Sequence, residues 1–196
     1  MARYAEMTRT TKETDITIKL DLDGTGKTDI STGVPFFDHM LDAFGRHGLF
    51  DLDVHARGDV DVDAHHTVED TGIVLGQAIA ECLGDRAGIT RFGSIALPMD
   101  EALVLAAVDI SGRGQLHWDV CLPVGFVGTF DTSHAKEFFI SLASNAQVTL
   151  HVRSLSGETS HHVIEAGFKA VARALSAAVA PDARTNGAIP STKGSI

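Results

Sequence analysis

The stretch LDVHARGDVDVDAHH, residues 52–66, aligns without a gap on VTLHVRSLSGETSHH, residues 148–162. In both, a single histidine (His55, His151) precedes an adjacent pair (His65–His66, His161–His162) by ten residues. After each pair comes a run rich in Ala and Leu with apolar residues near the 3.6 period of a helix: TVEDTGIVLGQAIAECLG and VIEAGFKAVARALSAAVA. Before each comes an amphipathic segment, VPFFDHMLDAFGRHG or TSHAKEFFISLASNA, and then a short alternating run. The openings match too. TDITIKLDLDGTGKTDI alternates like a strand, turns at Gly24 and Gly26, and resumes; EALVLAAVDISGRGQLHWDV does the same around Gly112 and Gly114. The chain therefore reads as an internal duplication.

Each half reads strand, tight turn, strand, helix, strand, helix, an α+β unit. We expect a first half over 1–93, including an N-terminal arm, a second over 94–180, and an extended C-terminal arm over 181–196. No Pro/Gly/Ser-rich linker divides the halves, so they form one compact unit related by a pseudo-twofold. The Gly-x-Gly sequences at 24–26 and 112–114 read as hairpin turns rather than nucleotide loops, because no helix follows them directly.

Composition narrows the class of function. The chain has 196 residues, 44% hydrophobic and 21% charged, which suits a soluble globular protein with a real core. No apolar run reaches spanning length, and the start lacks the apolar core of a signal peptide, so no membrane role is expected. A net charge of −10 argues against nucleic acid. Two cysteines, Cys82 and Cys121, without metal or redox spacing suit a reducing cytoplasm.

Ten histidines is a high count, and most lie in two groups. On a helix, residues three and four apart share a face, while neighbours splay by about 100°. Glu69 thus sits one turn from His65 and His66, and Glu165 one turn from His161 and His162. Splayed pairs suit two metals better than one. If the duplicated helix starts face each other across the twofold, a two-metal site results, each ion taking one histidine from each half. Imidazole and carboxylate without thiolate suit Mn, Fe or Zn. Further ligands should come from the first helix of each half. These are His39 and its counterpart Glu137, with His134 one turn earlier as a competitor. By contrast, His47 ends a helix, His55 and His151 pack on strands, and His117 is structural. Arg91, Arg113, Lys169 and Lys193 are candidates to hold a phosphate together.

The segments FFDHML, HHTVED, MDEALVLAAVDISGRG, EFF, TLHVR, SHHVIEAGFKAVARAL and STKG, in this order, resemble the imidazoleglycerol-phosphate dehydratase family, in its monofunctional form. The likeness runs from about Arg9 to Lys193. It implies helices sandwiched between two four-stranded sheets. It implies dehydration of D-erythro-imidazoleglycerol phosphate to imidazole acetol phosphate in histidine biosynthesis, with two Mn²⁺ per site. It implies 24-subunit shells built from trimers, with sites at subunit contacts. By motif, one metal would take His65, Glu137, His161 and Glu165, and the other His39, His66, Glu69 and His162. Substrate contacts would be Glu13, Asp100, Arg91, Arg113, Lys169, Ser191 and Lys193, the last five around the phosphate. Glu165 and Glu13 are the candidate bases. Two positions depart from the family pattern: Glu137 stands where many members have His, and Ala43 where many have Gln.

The chemistry explains the need for metal. Removing a non-acidic C–H proton and expelling hydroxide requires an electron source, and an imidazole ring bound through both nitrogens would serve as an imidazolate. A rival reading is a dinuclear metallohydrolase acting on a phosphate ester. A second is a metal-storing assembly protein, which would leave Arg113, Lys169 and STKG without a task.

Overall fold

The computed structural model describes residues 3–123 and 125–196; the first two residues of the expected N-terminal arm lie outside them. The first half contains β1 (Tyr4–Thr10), β2 (Thr14–Asp21), β3 (Thr28–Ser31), α1 (Pro35–Gly48), β4 (Asp51–Gly58) and α2 (His65–Leu83). The second contains β5 (Phe92–Met99), β6 (Ala102–Asp109), β7 (Gln115–Asp119), α3 (Ser133–Ala146), β10 (Thr149–Ser156) and α4 (Ser160–Val179). A small hairpin, β8 (Phe126–Val127) with β9 (Phe130–Asp131), is inserted before α3.

The two sheets have orders β1-β2-β4-β3 and β5-β6-β10-β7, the same topology twice. The four helices lie between them, so the α+β sandwich is observed. Two features were not legible in the sequence. The segment expected as an N-terminal arm forms β1, antiparallel to β2, and β5 holds the same place in the second sheet. The Gly24–Gly26 and Gly112–Gly114 turns are not hairpin turns. The strands they connect are not neighbours: β4 lies between β2 and β3, and β10 between β6 and β7. In each half a helix carries the chain from the edge strand back to the centre, which makes β3 parallel to β4 and β7 parallel to β10. The Gly24 turn instead wraps over the start of β4, where the Asp51 carboxylate accepts from the backbone N–H of Thr25 (2.7 Å) and Lys27 (3.0 Å).

The central strands alternate buried and exposed residues. Ile16, Ile18 and Leu20 of β2 and Val104, Ala106 and Val108 of β6 face the helices. The helix layer is held by a phenylalanine cluster: Phe37 meets Phe138 edge-on (5.4 Å), and Phe138 stacks on Phe168 (5.1 Å). The helices pair as α2 with α3 and α1 with α4. On α2, Gly72 and Gly76 make the closest approach possible. A β-carbon at either would stand 2.6 Å from the Phe138 carbonyl or 2.7 Å from that of Leu142. Asp70 is buried and ties β1 and β2 to α2, accepting from Thr14 Oγ1 (2.5 Å) and Arg9 Nε (3.0 Å).

The 181–196 arm is not featureless. Pro181 bridges to Ile89, a 3₁₀ turn follows at Ala183–Thr185, and the last residues return to the SGRG turn. No helix among the described residues is long and apolar enough to cross a membrane.

Candidate active site

Both histidine pairs sit in the first turn of their helices, His65–His66 on α2 and His161–His162 on α4. The helix pairing decides what they meet. His39 on α1 reaches α4, where its Nε2 lies 3.1 Å from Glu165 Oε2. His161 Nε2 lies 3.1 Å from the same oxygen. Among the described residues, His39, His161 and Glu165 form the one group of three donors whose ligand atoms lie within 4.8 Å of one another. Lys169, one turn further along α4, places its ammonium 2.6 Å from the other carboxylate oxygen. Burial pushes the Glu165 carboxyl up, but Lys169 and His39 more than offset this and hold it below the ordinary carboxylate value. The group thus offers two imidazoles and an ionised carboxylate, a donor set that fits Mn, Fe or Zn.

The α2–α3 pair carries the counterpart. His65 Nε2 stands 3.7 Å from Glu69 Oε2, and the His65 ring meets His134 edge-on at 5.7 Å. Glu137 is the fifth residue of α3, as His39 is of α1, so the two occupy equivalent helix positions. Glu137 is half-buried; His134 is buried, and its Nδ1 has no hydrogen-bond partner among the described residues.

Within one chain the two histidine pairs do not face each other. A row of rings separates them: His161 contacts Phe36 (5.1 Å), Phe36 contacts Phe130 (5.2 Å), and Phe130 contacts His134 (5.6 Å). Each group nevertheless draws on both halves, because α1 packs on α4 and α3 on α2.

The second histidine of each pair is oriented by a carboxylate. His66 Nδ1 donates to Asp59 (3.0 Å) with Glu13 at 3.9 Å, and His162 Nδ1 donates to Glu101 (2.7 Å). Both contacts raise the histidine pKa, and His162 holds the Glu101 carboxyl down at about 2. With Nδ1 engaged, Nε2 is the nitrogen that could accept a metal. His162 Nε2 lies 3.7 Å from Asp100, which takes a left-handed φ of 48° in the β5–β6 turn. Asp59 and Glu101 were not singled out in the sequence. Glu101 had a signal: Glu13 and the Asp100–Glu101 pair sit in equivalent connections, between the first two strands of each sheet, whereas Asp59 follows β4 and had none.

Four of the expected phosphate residues converge although they lie far apart in sequence. Arg91, Arg113, Ser191 and Lys193 line one cavity of about 370 Å³ with Ser111 and Gly112. Arg91 is pinned by Asp109 (2.8 Å) and by the Pro190 carbonyl (2.8 Å). Lys169 is not among these residues; in this chain it stands with Glu165 and near Met99. Of the histidines read as structural, His117 and His151 stack at 4.2 Å on neighbouring strands, His55 stands 3.6 Å from Asp29, and His47 lies in the last turn of α1. Ala43 is buried on α1.

These features define a class first: a duplicated α+β protein with a histidine–carboxylate donor group and, separately, a basic cavity of the size that takes a small anion. The comparisons make the class specific. The family model for imidazoleglycerol-phosphate dehydratase matches residues 32–175. The dehydratase of Dinoroseobacter shibae is 59% identical over 194 residues, covering 99% of this chain and 100% of that one. That of Acidiphilium cryptum is 60% identical, covering 99% of each. Among solved structures, the Pyrococcus furiosus dehydratase in complex with (S)-C348 superposes with a TM-score of 0.84 at 40% identity, covering 97% of this chain and 100% of that one. The Staphylococcus aureus dehydratase gives 0.83 at 39%, covering 91% and 99%. The chain belongs to the imidazoleglycerol-phosphate dehydratase family and is an enzyme of the hydro-lyase class.

Proposed function

We propose that the chain dehydrates D-erythro-imidazoleglycerol phosphate to imidazole acetol phosphate in histidine biosynthesis, in the cytoplasm, with two Mn²⁺ per site. The observation that carries this reading is the His39–His161–Glu165 group, assembled from both halves of a chain whose relatives bear the dehydratase name. The metallohydrolase alternative is not favoured, because the relatives are dehydratases.

Metal, when bound, supplies Lewis acidity and a template for the imidazole ring. The candidate ligands are His39, His65, His66, Glu69, Glu137, His161, His162 and Glu165. The chain's own residues do the rest. Arg91, Arg113, Ser191 and Lys193 hold the phosphate. Lys169 keeps Glu165 ionised, which suits a ligand and disfavours a base. Glu13, exposed beside His66, is better suited to take the carbon-bound proton, and Asp100 occupies the matching place beside His162. The hydroxyl on the adjacent carbon leaves as water, and the enol tautomerises to the ketone.

The ring row between the donor groups supports a site completed by a neighbouring copy, in a homo-oligomer of trimers reaching 24 subunits. The division into halves at 1–93 and 94–180, with the 181–196 arm closing the anion cavity, belongs to the same reading. The test is turnover of imidazoleglycerol phosphate by metal-stripped protein, with and without Mn²⁺. Activity only with Mn²⁺ is expected. Metal binding without turnover, together with hydrolysis of phosphate esters, would return the metallohydrolase.

A further inference from the structure

Behind the lining of the basic cavity stands a cation that the mechanism above does not use. Behind Gly112 lies Arg86, in the connection after α2. It is 8% exposed and adopts a left-handed φ of 61°, so its backbone bends to bring the side chain inward. One terminal nitrogen, Nη2, donates to Gln147 Oε1 at 2.5 Å. The other, Nη1, lies 3.1 Å from where a β-carbon on Gly112 would stand, a point that the Ile196 main-chain carbonyl carbon approaches to 3.0 Å without an ion pair to Arg86 among the described residues. Gly112 itself lines the cavity. Among the described residues, Nε has no hydrogen-bond partner and Arg86 forms no ion pair. Arg91 differs: Asp109 already compensates its charge.

A buried cation without a counter-ion is unfavourable, and an anion bound nearby relieves it. We infer that Arg86 is a positioning residue of the anion cavity: its buried, unpaired guanidinium backs the Gly112–Arg113 turn and biases the cavity toward a doubly charged tetrahedral anion. Gln147 fixes its direction. Gln147 ends α3 in a left-handed conformation, and the next residue, Val148, accepts from Gln115 N–H (3.0 Å) just beyond the turn. The inference rests on the cavity being the phosphate site.

The experiment is calorimetric titration of the full chain with sulfate and with methanesulfonate, a singly charged analogue of the same shape, at one pH. Arg86→Gln should weaken sulfate on the order of tenfold and methanesulfonate by about the square root of that, since the energy follows the ligand charge. Arg86→Lys should keep most of the wild-type preference. An equal loss for both anions would mean that Arg86 only shapes the turn, and no loss would mean that it does nothing there; either overturns the inference. Arg113→Gln separates the premises. If it too leaves sulfate binding unchanged, the cavity is not the anion site. If it weakens sulfate while Arg86→Gln does not, only the role of Arg86 falls. Should Arg86→Gln fail to fold, Gln147→Leu, which keeps the charge but frees its direction, should also reduce the sulfate preference.

Discussion

The two halves share a topology but not a surface. On β2 the residues facing away from the helices are Asp15, Thr17, Lys19 and Asp21; on the equivalent β6 they are Leu103, Leu105, Ala107 and Asp109. The inward faces are alike, Ile/Ile/Leu against Val/Ala/Val. The inner face of each sheet must fill the same helix layer and tolerates only apolar residues of suitable size. The outer face is free to diverge: it is polar on β2 and largely apolar on β6, while β10 beside β6 presents Thr149, His151 and Arg153. The donor groups differ as well. The α1–α4 group is closed by Glu165 and Lys169. In the α2–α3 group, the His65–Glu69 contact is longer and the buried His134 ring stands alongside.

The largest expected effect tests whether this second difference is functional. Glu165→Gln should lower turnover by roughly 10²–10⁴-fold and reduce bound Mn²⁺, as measured by steady-state kinetics and metal analysis. Glu69→Gln should do the same if the groups are duplicates in function. Full activity in Glu69→Gln would show that the duplication survives there only as structure.

The outer faces come next. Leu105→Glu places a charge among the apolar outer side chains of β6 and should dissociate the proposed assembly, costing several kcal/mol if that surface is covered. Thr17→Glu, on the polar sheet, should leave the sedimentation profile unchanged. Identical profiles for both variants would remove the apolar face from the assembly.

The helices give a smaller contrast. Gly76→Ala forces a methyl group against the Leu142 carbonyl and should cost about 1–3 kcal/mol in chemical denaturation. Gly167 on α4 has nothing within 4 Å of a β-carbon, and Gly167→Ala should stabilise by about 0.5–1 kcal/mol. Equal signs would mean that the close approach belongs to both helix pairs.

The smallest effect concerns pH. In metal-free protein, Glu101 raises His162 above the ordinary 6.5. The stabilisation His162 provides is therefore present below 6.5 and lost as pH rises through the higher folded value. Glu101's share is present above 4.5 and lost as pH falls through about 2. In an NMR titration Glu101→Gln should return His162 toward 6.5. An unmoved His162 would show that the contact with Glu101 is not kept in solution.

By itself the sequence determined the duplication, the helices and the residue types of the site. Local periodicity and repeated spacing are written in neighbouring residues, and HHxxE fixes which side chains share a helix turn. Four of the five residues expected around a phosphate, Arg91, Arg113, Ser191 and Lys193, line one cavity, whereas Lys169 stands with Glu165; scarce basic residues beside Gly-rich turns stand out in an acidic chain. What only the tertiary structure decided was adjacency. Strands consecutive in sequence looked like hairpins, yet β4 and β10 insert between them, since parallel pairing with the edge strand depends on where the intervening helix packs. Whether His161 meets His65 or His39 depends likewise on α4 packing against α1. Phe36 and Phe130 separate the two histidine pairs for the same reason. Such choices rest on the summed burial of whole faces, which no short window of residues contains.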